Sequence, residues 1–173
     1  TGQLWVVNDT AQQMTALNMQ TLTPIITFDT PANLFAFKPH DVVLDPLSNA
    51  AFVSMVDVVA DNLDDWVIRY DTTTFTETHR VQAGDDPNIS LSAKNDNKLF
   101  VAAQGANAVQ VFNRSNLSPV APSIAVNAAH GAAMTADGNT FYATNIAGGG
   151  TDGLAAIDTA TQLLLGSTNT PFA

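Results

Sequence analysis

The chain has 173 residues, 46% of them apolar and only 13% charged, and it contains no cysteine. Six Lys and Arg against 16 Asp and Glu give a net charge of −10, and Lys38, Arg69, Arg80, Lys94, Lys98 and Arg114 are scattered, so nucleic-acid backbones and acidic membrane surfaces are repelled rather than bound. The lack of Cys excludes disulfides, zinc–thiolate sites, Fe–S clusters and thioether-linked haem within the chain, and no apolar run approaches a membrane span or a signal segment.

The first strand signal is residues 4–8, Leu-Trp-Val-Val-Asn, a short run of β-branched and aromatic side chains. A second run, residues 14–18, ends in Asn18, and a polar turn leads to a third, residues 22–28. Residues 39–46 open a new set, followed by a Leu47-Ser-Asn49 turn and a strand over 51–55. Runs at 67–71, ending in Asp71, and at 75–82 complete it. The order recurs at 87–94, 99–103, 109–113 and 117–126, and again at 129–136, 141–145, 154–158 and 162–168. Asn95-Asp-Asn97 and Asp137-Gly-Asn139 are hairpin turns. The Asn or Asp closing the runs at 14–18, 67–71, 109–113 and 154–158 suits a turn, because its side chain bonds backbone two residues on.

Residues 4, 51, 99 and 141 begin equivalent runs, spaced 47, 48 and 42 residues apart. That period fits propeller blades, each of four short antiparallel strands, here called A to D. The fold class is therefore all-β, a β-propeller with blades near residues 1–30, 39–83, 86–126 and 129–169. Ser90, Ser92, Ala132 and Ala133 in the A strands are small enough for crowding near an axis. The array reads BCD-ABCD-ABCD-ABCD, and residues 169–173 stand where another A strand would begin. Either a four-bladed ring closes with that short tail, or the chain is part of a larger ring, as an excised fragment or paired with another chain. Thr1, without an initiator Met, reads as a processed or excised end.

Phe141-Tyr-Ala-Thr-Asn145 together with Ile157-Asp-Thr-Ala-Thr161 resembles the YVTN family of β-propeller repeats. The proline-histidine-glycine step of that family survives partly as Pro39-His40-Asp41 and Ala129-His130-Gly131, with Asn88 in the third blade. The resemblance covers nearly the whole chain, but only the fourth blade matches closely. It implies a secreted, periplasmic or cell-surface propeller, usually of six to eight blades. Such relatives include surface-layer proteins, binding scaffolds and haem-carrying or quinone-linked redox enzymes.

His40 and His130 begin inner strands near one mouth of the channel. Imidazoles there suit copper or a haem iron, with Asp41 or Asp86 as a further ligand; the alternative is that each histidine bonds loop backbone and fixes its blade. His79, beside Arg80 on an outer strand, reads as solvated. The loop carrying Asp57, Asp61, Asn62, Asp64 and Asp65 offers oxygen ligands for Ca²⁺, with Asp61, Asp64 and Asp65 as candidates; it lacks the glycine and closing glutamate of an EF-hand, so a solvated loop is the competing reading. The adjacent pairs Asp64/Asp65 and Asp85/Asp86 suggest acid–base chemistry, but adjacent residues on a strand point to opposite faces and rarely converge on one substrate. Gly148-Gly-Gly150 lacks the Lys and helix of a phosphate loop, and no serine has a nucleophile-elbow context. Trp5 and Trp66 read as blade-packing or rim residues, and the Asn-X-Ser/Thr triplets at Asn8, Asn88, Asn113 and Asn116 as chance sequons of an Asn-rich chain.

These features point to a non-enzymatic extracytoplasmic module that binds a protein partner or itself through open blade edges. A metal- or haem/quinone-linked redox propeller is the alternative, and a hydrolase with an axial Ca²⁺ a weaker one.

Overall fold

The structure, a computed structural model, describes residues 2–58, 64–91, 94, 96–120, 122–146 and 153–169. Among them are fifteen β-strands, one 3-10 turn at Ala32–Leu34 and no α-helix. The first blade holds β1 (Gln3–Asn8), β2 (Gln13–Asn18) and β3 (Pro24–Asp29). The second holds β4 (Phe37–Leu44), β5 (Ala50–Asp57), β6 (Trp66–Asp71) and β7 (Glu77–Gln82). The third holds β8 (Pro87–Leu91), β9 (Lys98–Ala103), β10 (Ala108–Asn113) and β11 (Ile124–Ala125). The fourth holds β12 (Ala129–Met134), β13 (Thr140–Asn145), β14 (Gly153–Asp158) and β15 (Leu164–Asn169). Each sheet is an antiparallel meander in chain order, three-stranded in the first blade and four-stranded in the others.

The C–D turns explain why the repeat is so regular. Asn18, Asp71, Asn113 and Asp158 each accept, through the backbone oxygen, the N–H of the residue four places on, at 2.8–2.9 Å. Those residues, Leu22, Phe75, Leu117 and Gln162, all have φ between 55° and 59°. Four non-glycine residues thus share a left-handed conformation that L side chains rarely adopt. Asp71 Oδ1 also takes the N–H groups of Thr73 and Thr74, both at 2.8 Å, and these bonds hold its carboxyl below the usual range.

The blades stack through three apolar clusters, one per seam. Trp5, Met14 and Ala16 of the first blade meet Val53, Ile68 and Tyr70 of the second. Phe52 and Val67 of the second meet Leu99, Phe112 and Leu117 of the third. Phe100, Val109 and Val111 of the third meet Phe141, Ala143 and Ile157 of the fourth. The alternation of strand side chains assigns one face of every sheet to the preceding blade and the other to the following blade.

Two details depart from the sequence reading. The outer strand of the third blade is only Ile124–Ala125, with an isolated bridge between Phe112 and Pro119, rather than a strand across 117–126. Pro119 and Pro122 lack the N–H a ladder needs. The A strands also differ among themselves. β4 and β12 are bulged near His40 and His130, whereas Asn88 pairs with Ala102 in regular register.

Candidate functional site

The bulges have a specific support. In the second blade Asp41 N–H donates to Ser54 Oγ at 3.0 Å, and in the fourth Gly131 N–H donates to Thr144 Oγ1 at 2.7 Å. The equivalent of Ser54 and Thr144 in β9 is Ala102, which offers no hydroxyl, and the described β8–β9 pairing runs without a bulge. His40 is exposed and His130 half-buried, with Nδ1 of His130 enclosed and without a hydrogen-bond partner among the described residues. Neither histidine joins a group of three metal-capable side chains among the described residues. Asp41, a suggested third ligand, is already engaged. Its Oδ1 accepts Val42 N–H at 2.8 Å and its Oδ2 accepts Ile89 N–H at 3.1 Å, tying the second blade to the third.

The carboxylates gather differently from the sequence reading. Asp61 lies outside the described residues, and Asp64 is exposed. Asp65 is buried and groups instead with Asp85 and Asp86, one oxygen of each lying within 4.8 Å of the others. Asp85 and Asp86 converge because they stand in the bend before β8, where Asp86 has φ of 52°, and not on a strand. Gly105 packs flush against this bend: a Cβ there would lie 2.5 Å from Asp85 Cβ. Asp65 Oδ1 accepts Asp57 N–H and Oδ2 accepts Asp86 N–H, both at 2.9 Å. Burial outweighs these bonds, and the charges of Asp57 and Asp85 add to it, so the Asp65 carboxyl is pushed up to about 7.

The place of Asp65 in the repeat accounts for its bonds. It directly precedes strand C, as do Gln12 and Asn107. The backbone oxygens of Gln12, Asp65 and Asn107 accept the N–H groups of Thr30, Ala83 and Val126 in the linkers that follow their own D strands. Asn107 Oδ1 also takes Ala128 N–H at 2.9 Å, and Gln12 Nε2 donates to Phe35 O at 3.2 Å. Asp65 is thus one of three polar side chains that clasp a linker. Carboxylate oxygens suit a hard cation, but both of those on Asp65 already hold backbone.

The end faces are the other distinctive surface. Register places Leu4, Ala51, Leu99 and Phe141 at one position, and Val6, Val53, Val101 and Ala143 at another. Both positions face the preceding blade. In the second, third and fourth blades all six residues are 0% exposed, whereas Leu4 is 43% and Val6 44% exposed. The turn repeats the contrast. Thr72, Arg114 and Thr159 are buried, and their equivalent Met19 is 59% exposed. On the opposite face, which meets the following blade, an aromatic recurs as Trp5, Phe52, Phe100 and Tyr142. The first three are buried and Tyr142 is half-buried. Met14, Val67 and Val109 are fully buried there, while their equivalent Leu154 is exposed. The repeat equates these residues within the sequence; the face each one occupies follows from the stacking of the sheets.

No protein-family model and no curated protein matches the chain, so the likeness to YVTN repeats rests on the residues quoted above. Solved structures do match. One is hydrazine synthase from Kuenenia stuttgartiensis, with a TM-score of 0.80 and 19% identity over 98% of this chain and 46% of that one. Another is a functionally unknown protein from Desulfotomaculum acetoxidans, with a TM-score of 0.77 and 16% identity over 98% of this chain and 53% of that one. The fold is β-propeller-like. The chain spans about half the length of each of these neighbours. At such identities the match carries the architecture and not the chemistry.

Proposed function

We propose that this propeller of YVTN-like repeats is a non-enzymatic assembly module of an extracytoplasmic or surface complex, and that its end blades carry the contact. One observation supports this most: Leu4 and Val6 are open to solvent at positions where the other three blades are sealed. Soluble proteins seldom leave a contiguous apolar sheet face uncovered without a use for it. The acidic surface and the secreted or periplasmic setting expected of such repeats agree with this reading. Sedimentation of the native protein from the extracellular or envelope fraction of its source tests it. The expected native species is well above the mass of its own polypeptide measured under denaturing conditions; a free single chain there would contradict it.

A metal- or haem/quinone-linked redox propeller with His40 and His130 as ligands has one observation in its favour, the enclosed Nδ1 of His130, without a hydrogen-bond partner among the described residues. Metal analysis and an absorption spectrum of purified protein decide it. Stoichiometric copper or iron, or a haem band, supports it, and a colourless, metal-free protein overturns it.

A further inference from the structure

An aspartate followed by glycine is open to attack by its own backbone, because glycine has no side chain to shield the amide nitrogen. The sequence holds two such pairs, Asp137–Gly138 and Asp152–Gly153, and Asp152 lies outside the described residues. Asp137–Gly138 stands in the A–B turn of the fourth blade, between β12 and β13. The structure assigns this pair as a latent modification site: the closed turn blocks isoaspartate formation at Asp137, and opening of the turn lets it proceed.

The reaction needs no co-reactant but water. Gly138 nitrogen, having lost its proton, attacks Asp137 Cγ in the carboxylic acid form. A C–N bond forms, a C–O bond breaks, and water leaves. Water then opens the succinimide at the Asp137 α-carbonyl. The main chain now runs through Cβ and Cγ and is one methylene longer, with composition unchanged.

The folded turn opposes each requirement. Gly138 N–H donates to Thr135 O at 2.8 Å, so its proton is held. Thr135 Oγ1 donates to Asp137 Oδ1 at 2.6 Å, Asn139 N–H donates to the same oxygen at 2.9 Å, and Asn139 Nδ2 donates to Oδ2 at 2.5 Å. These bonds favour the charged form and hold the carboxyl down at about 2. A carboxylate is a poor electrophile. Gly138 is buried at φ of 68°, and its carbonyl accepts Thr159 Oγ1 at 2.6 Å. That bond anchors the glycine against the rotation an attack requires.

The product has no place in the fold. Thr159 N–H donates to Asn139 O at 3.0 Å, and Lys98 Nζ reaches across from the third blade to Thr159 O at 2.7 Å. An extra methylene between Asp137 and Gly138 shifts this register. A turn that opens and isomerises therefore does not close again.

Isoaspartate at Asp137 is measured by peptide mapping of the purified chain and of a synthetic peptide of residues 133–142, both aged at neutral pH. The folded chain is expected to form it at least about tenfold more slowly than the peptide. Equal rates overturn the inference, and this comparison needs no variant. Thr135→Val keeps the side-chain shape and removes the hydroxyl. It is expected to speed the reaction in the folded chain, with folding checked by circular dichroism, and to leave the peptide rate unchanged. Folded variant and folded wild type ageing alike would overturn the protection assigned to these bonds. Chain aged in urea and returned to buffer tests the trap. Isoaspartate is expected to be depleted from the refolded fraction; equal content in refolded and total protein overturns the trap.

Discussion

Arg114 Nη1 donates to Asp45 Oδ1 at 3.2 Å across the seam between the second and third blades, with both side chains buried. Arg114 Nη2 donates to Lys94 O at 2.7 Å, and Arg69 Nε donates to Arg114 O at 3.1 Å. The equivalents of Arg114 in neighbouring blades are threonines, so this seam alone carries a buried ion pair at that place. Removing one partner of such a pair leaves an uncompensated charge. Arg114→Thr is expected to cost about 3–5 kcal/mol. Urea unfolding checks it, and a change below about 1 kcal/mol would contradict the stated role.

Ser54 is buried and accepts the N–H of Asp41 in the bulge of β4. Ser54→Ala leaves that donor without its partner, at an expected cost of about 1–3 kcal/mol. Thr144→Ala at the exposed counterpart is expected to cost less, because water reaches Gly131 N–H. Paired denaturation curves for the two variants read the difference.

The raised carboxyl of Asp65 predicts a pH dependence of definite sign. The folded chain holds this proton more tightly than the unfolded chain, whose ordinary value is 3.8 against about 7 here. The contribution to stability is complete below pH 3.8 and is lost as pH rises to about 7, by no more than about 4 kcal/mol. Unfolding midpoints between those pH values are expected to fall with a steeper slope in the wild type than in Asp65→Asn. Equal slopes would contradict the buried proton.

Equivalent left-handed positions separate backbone strain from packing. Gln162 has φ of 59° and a partly exposed side chain, whereas Leu117 at φ of 58° is sealed in the seam. Gln162→Gly is expected to be neutral or to stabilise by up to about 1 kcal/mol, since glycine adopts this conformation freely. Leu117→Gly is expected to cost about 2–5 kcal/mol through lost burial. Thermal melts of the pair measure it.

The strand order, the closing Asn or Asp of each C strand and the blade-like repeat were legible because periodicity and turn chemistry are local. Three features were not. The grouping of Asp65 with Asp85 and Asp86 depends on a linker folding back onto the B–C loop, and sequence adjacency pointed to Asp64 instead. The extended run at 117–126 suggests a full outer strand in the third blade, but Pro119 and Pro122 lack the donors a ladder needs, and only Ile124–Ala125 remains. The divergence of Asn88 from His40 and His130 follows from Ala102, a residue on another strand whose missing hydroxyl no reading of the A strands alone reveals. The open first blade was half legible: Leu4 aligned with Leu99, but only stacked sheets tell which face is covered.

A chain without cysteine allows one direct measurement of the central claim, that the first blade presents an uncovered blade-stacking face. Thiol labelling of Leu4→Cys is compared with Leu99→Cys in the purified chain and in the native assembly. Leu4→Cys is expected to react readily in the purified chain and to be protected in the assembly, while Leu99→Cys resists labelling in both. Slow labelling of Leu4→Cys in the purified chain, or fast labelling in both settings, would contradict it.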